Sequence, residues 1–178
     1  MYTKLVLAIF TLFLLKNMDS LDTKKLVAFL LALKNLEVAL SEDDKKWLEN
    51  AGDRLKLALQ ETDTDWNEIE DILMSTIESN PSLNDLYQEF LAIISSEDEI
   101  IELIPEWAEL ERELPNDTKD ELVELGFFPD DTQPESKNDE IRNVVVFVLA
   151  NEQPIQTTQN LSFLERIQRL FNPPKQGD

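Results

Sequence analysis

Residues 21–40 read LDTKKLVAFLLALKNLEVAL. Leu26, Phe29, Leu30, Leu33, Leu36 and Leu40 recur at three- and four-residue spacing, the period of one face of an α-helix. The stretch reads as an amphipathic helix, with Ser20 or Asp22 placed to cap its start. If that reading is right, the chain is helical, because the same pattern is repeated downstream.

Ser41 with Asp44 three positions on is a capping-box-like start for the next run. That run puts Trp47, Leu48, Ala51, Leu55, Ala58 and Leu59 on one face. After it, Trp66, Ile69, Ile72, Leu73 and Ile77 align. Asn80-Pro81 ends that helix and opens another, since proline suits the first helical position. Leu83, Leu86, Tyr87, Phe90, Leu91 and Ile94 line its face, and Ser96 with Glu99 forms a second capping pair. Pro105 should kink or split the helix that follows, and Gly126 should cap a last short one. The expectation is all-α: a compact bundle of about six short amphipathic helices over 18–126. No hairpin and no βαβ pattern interrupts it.

Residues 127–139 are polar and contain prolines, and read as a linker. Residues 140–178 read as C-terminal helices and a tail appended to the bundle. Their VVVFV run suits a buried strand as well as a helix, but a lone strand has nothing to pair with, so helix is favoured. Near the end, Leu161, Leu164, Ile167, Leu170 and Phe171 share a helical face, with Arg166 and Arg169 beside them.

The amino-terminal segment 1–17 contains LVLAIFTLFLL at residues 5–15. As a helix it is about 16 Å long, against roughly 30 Å for a bilayer core, and charges follow it at once. It is therefore no transmembrane span. Four readings compete: a first core helix, an extension ahead of a start at Met18, a membrane-associating segment, and a secretory signal, the last lacking a small-residue cleavage site.

Composition narrows the chemistry. The chain has no cysteine and no histidine, which removes thiol catalysis, disulfides, cysteine-type zinc sites and the commonest general base. Its three glycines, Gly52, Gly126 and Gly177, are isolated, so no phosphate-cradling loop exists. Asp63, Asp65 and Asn67 begin like a calcium loop, but Glu68 and Met74 stand where glycine and the bidentate glutamate belong. No cofactor, no metal, no small-molecule substrate and no enzymatic activity is expected. Asn116-Asp117-Thr118 and Asn160-Leu161-Ser162 match glycosylation acceptors, which arise readily by chance.

Charge is the dominant feature. The net charge is −21, and residues 37–159 alone hold 33 acids against eight bases. That disfavours direct contact with nucleic acid or anionic lipid. Residues 97–113, EDEIIELIPEWAELERE, carry eight acids and one base, with Glu102, Glu106, Glu109 and Glu113 near one face.

The resulting expectation is a non-catalytic, cytoplasmic protein-protein interaction adaptor. It would present that acidic face to a basic protein partner, with the 161–171 helix as a second docking element for partner or membrane. One alternative is a peripheral membrane protein held at a membrane surface by residues 5–15. Another is an acidic nucleic-acid mimic, which needs carboxylates spaced like phosphates, on the order of 7 Å apart.

Overall fold

The computed structural model describes residues 22–60, 66–113, 137–151 and 153–171. Among them are nine helices and no strand. They are α1 (Thr23–Lys34), α2 (Glu42–Gln60), α3 (Trp66–Ser79), α4 (Pro81–Ile93), α5 (Glu97–Ile101), α6 (Trp107–Glu113), α7 (Lys137–Ala150), α8 (Pro154–Asn160) and α9 (Ser162–Phe171). The fold is all-α. The apolar segment 5–15, the calcium-like residues Asp63 and Asp65, and the Gly126 cap lie outside the described residues.

Helix α1 is the axis of the molecule. Every side chain from Leu26 to Leu33 is 0% exposed. The expected division into an apolar and a solvated face does not hold there. Eight consecutive apolar residues occupy every azimuth of a 3.6-residue turn, and a helix that is apolar all round must be covered all round. α4, α5, α7, α8 and α9 all pack on it. Each large apolar side chain so covered stabilises the fold by about 1.5–3 kcal/mol.

Its ends are set locally. Asp22 Oδ1 accepts from Lys25 N at 2.8 Å, which is the expected N-cap. Asn35 closes the other end, its side-chain amide donating to Leu31 O at 2.8 Å. The helix therefore stops at Lys34, and Leu36 and Leu40 enter the core from the following irregular segment rather than from further turns.

The next corners follow the sequence signals. Ser41 and Asp44 form the expected reciprocal cap, with Asp44 N donating to Ser41 Oγ at 3.1 Å and Ser41 N to Asp44 Oδ2 at 3.0 Å. Asn80 Nδ2 donates to the same Asp44 oxygen at 3.2 Å, tying the α3–α4 corner to the start of α2. Partial burial opposes the Asp44 charge, but these bonds outweigh it and hold its carboxyl below the usual range. Asn80 also caps α4, accepting from Leu83 N at 3.1 Å, with Pro81 in the first turn. Ser96 occupies the N-cap position of α5 without a side-chain bond, so its capping pair is not formed.

α7 is a helix and begins at Lys137, inside the stretch read as linker. Ile141 and Val144 through Leu149 are all buried. Five of these are β-branched, costing at most about 0.7 kcal/mol each in helix propensity. Burial of seven apolar side chains contributes about 10–20 kcal/mol, so packing decides the conformation. α7 wedges between α2 and α1 and touches α8. Among the described residues the C-terminal helices thus form part of the wall around α1.

Candidate functional site

Two features stand out: an acidic surface and the seam that joins α6 to α9. Between Leu57 and Glu111 the chain has sixteen acids and not one lysine or arginine. The described part of this window is the end of α2, then α3, α4, α5 and most of α6 with the connections between them. Asp85 and Glu89 on α4, Asp98 and Glu99 on α5, and Glu102 and Glu106 in the connection to α6 are all exposed.

Glu97 is drawn out of this set. It accepts from Thr23 N at 3.1 Å, placing a carboxylate at the positive end of α1. Lys25 pairs with Glu70 of α3 close by. Tyr87 lies buried at the same end; burial, with Asp22 and Glu70 adding to it, pushes its phenol up to about 12.

The four glutamates picked out by spacing do not lie on a single helix. Pro105 is buried and cannot donate a backbone bond, and the run divides there into α5 and α6. Glu102 falls in the turn after α5, and Glu106 precedes α6 with its carbonyl accepting from Glu109 N at 2.9 Å. Glu109 and Glu113 turn to α9. Glu109 Oε1 accepts from Arg166 Nη1 at 2.9 Å. Glu113 Oε2 accepts from Ser162 N at 2.8 Å, and its other oxygen takes the Ser162 hydroxyl. A carboxylate from a different helix thus satisfies a free amide in the first turn of α9.

The C-terminal residues divide in the same way. Leu161 is 1% exposed, and Leu164 and Ile167 are 0% exposed, with Phe163 buried beside them. These side chains belong to the core of this molecule. Phe171 is half-buried against that core, whereas Leu170 is exposed. Arg169 pairs with Glu165 at 3.3 Å on the same helix. The Arg166–Glu109 pair is roughly half exposed at both ends, and such pairs are worth about 0–1 kcal/mol. Apolar burial, at about 1.5–3 kcal/mol per side chain, therefore holds α9 in place, and the polar seam sets its register.

Lys34, at the end of α1, completes the seam. Its ammonium donates to Gln159 O at 3.0 Å, at the carbonyl end of α8. Burial pulls its pKa down, against the raising effect of Glu165 and Glu113. Next to it, Gln168 of α9 donates to Asn35 Oδ1 at 3.0 Å.

No known protein family matches the chain, and no curated protein or solved structure is similar to it. Among the described residues, no group of three or more acidic, histidine or cysteine side chains is placed to hold a metal ion. No helix among them is long and apolar enough to cross a membrane.

One surface residue escaped the spacing argument. Trp47, expected on the inner face of α2, is 51% exposed, while Leu48 and Ala51 are inside at 1% and 3%. The inward stripe runs through Leu48, Ala51 and Gly52, and Trp47 lies just outside its edge, about 40° beyond Ala51 and about 100° from Leu48. The absence of bases from 57 to 111 was legible in the sequence and locates the acidic surface better than the spacing of glutamates within one helix.

Proposed function

We propose that this protein is a non-catalytic, cytoplasmic, acidic helical adaptor that binds a basic protein partner. The observation that carries the reading is the run of exposed carboxylates Asp85, Glu89, Asp98, Glu99, Glu102 and Glu106 in a stretch without a single base. Exposed carboxylates without bases among them, on elements consecutive in the chain, set up a negative field. A basic surface is steered to it, which favours fast, salt-sensitive association. The surface is narrower than the four-glutamate face: Glu109 and Glu113 serve the α6–α9 seam, so Glu102 and Glu106 remain to meet a partner. A chain without histidine or cysteine also offers few groups for acid–base or nucleophilic work. The break at Pro105 interrupts the one-helix row of Glu102, Glu106, Glu109 and Glu113 on which imitation of a nucleic acid would rest.

The test is binding of a lysine-rich peptide in low-salt and physiological-salt buffer. The wild type is compared with a variant in which Asp98, Glu99, Glu102 and Glu106 are changed to their amides. A control variant changes Glu37, Asp71, Glu109 and Glu165, which are also exposed, and so carries the same net charge. The first variant should lose most of the binding and the control little. Equal losses would mean that net charge alone attracts the peptide, which would end the reading. Retention on neutral vesicles through high salt, lost on deleting residues 1–17, would favour the membrane alternative instead.

A further inference from the structure

We infer that Trp47 is the anchor for the basic partner, its indole face receiving a lysine or arginine side chain of that partner. This rests on the adaptor reading above and adds a second contact point to it. Tryptophan is largely buried in most folds, and it is strongly enriched among the residues that dominate binding energy at interfaces. Here it is 51% exposed on a helix whose core-facing stripe is filled by its neighbours.

The surroundings select a cation. Asp43, one turn before Trp47, and Asn50, one turn after, are exposed neighbours on the helix surface. Between residues 42 and 53 there are five acids, Glu42, Asp43, Asp44, Glu49 and Asp53, against Lys45 and Lys46. Lys45 is paired with Glu42 at 2.7 Å, and Asp44 is occupied by Ser41 and Asn80. The Asn80 bond brings the α3–α4 corner to this end, and with it the exposed Glu78. Arg54, two turns on along the same stripe, has an interaction of its own. Of the two carboxylates one turn before the indole, Asp44 is engaged and Asp43 is exposed, with Lys46 as its neighbour three positions on, so Asp43 is the acceptor on that side of the ring. A basic side chain can lay its apolar stem or guanidinium on the ring and direct its charge to that carboxylate. An acidic or purely apolar occupant gains nothing from Asp43.

The probes are a deca-lysine and a deca-arginine peptide. Binding to wild type is compared with Trp47→Phe, which keeps a weaker aromatic face, and Trp47→Leu, which keeps apolar area and removes the ring. Trp47→Leu should weaken binding by about two- to thirtyfold, with Trp47→Phe between the two. The Trp47 indole N–H resonance, assigned by its loss in Trp47→Phe, should shift on addition of peptide. That readout decides the matter in the wild type even if a variant folds poorly. If wild type binds and Trp47→Leu binds equally well, with no indole shift, the anchor is refuted and the acidic surface stands alone. If wild type binds neither peptide, both the anchor and the adaptor reading fall.

Discussion

Replacing Leu31 by alanine separates two pictures of α1. In the amphipathic picture, Leu31 lies about 140° round the helix from Leu26, away from Leu30 and Leu33, on the solvated side. Truncation there would change stability by no more than about 0.5 kcal/mol. In the structure Leu31 is 0% exposed. The substitution removes three buried carbon groups, a transfer loss of about 2.4 kcal/mol. A cavity that relaxes only in part raises the total to about 3–5 kcal/mol. With a urea m-value of about 2 kcal/mol/M, the lower figure moves the midpoint down by about 1.5 M. The corresponding fall in melting temperature is about 6–12 °C. The assay is urea unfolding followed by helix circular dichroism. Leu30→Ala serves as a positive control, and Leu57→Ala, at a residue 56% exposed, as a negative one. A Leu31→Ala midpoint equal to that of Leu57→Ala, with Leu30→Ala strongly shifted, would show that α1 has a solvated side and would refute the central-helix architecture.

Glu113→Ala removes the acceptor at the start of α9 and should cost about 1 kcal/mol, the usual worth of a helix cap. Hydrogen exchange should speed up in the first turn of α9 while the α1 amides keep their protection; unchanged exchange at Ser162 would contradict the seam. Tyr87 gives an alkaline prediction. The unfolded chain releases its phenolic proton near pH 10, whereas the folded one holds it up to about 12. The folded state then binds more protons between those values, so stability falls as pH rises through that window. Tyrosinate absorbance of the folded protein should show a late step that Tyr87→Phe abolishes. A tyrosine titration of the wild type identical to that of Tyr87→Phe plus one ordinary phenol would count against the burial.

Local features were legible because their causes are local. The Asp22 cap, the reciprocal Ser41–Asp44 cap and the Asn80-Pro81 corner each join residues within a few positions of one another. The acidic surface was legible as composition, but its membership was not. Glu113 and Glu109 look like their neighbours in sequence, yet their partners Ser162 and Arg166 lie 49 and 57 residues away. Ser96 matched a capping pattern and makes no such bond. Trp47 matched the inward period and stands outside, because a stripe centred on Leu48, Ala51 and Gly52 was wide enough in sequence to admit it.

The sequence by itself determined that the chain is helical, where several helices begin, and that its surface is acidic. Periodicity, caps and charge are properties of neighbouring residues, and no distant contact is needed to express them. Only the tertiary structure decided that α1 is covered on every side, that the valine-rich α7 is helix wedged into the core, and which carboxylates remain free. Those outcomes depend on which surfaces meet. LVAFLLAL states that all its faces need cover, but the helices that provide it come from residues up to 171, brought together by the common gain of removing apolar surface from water.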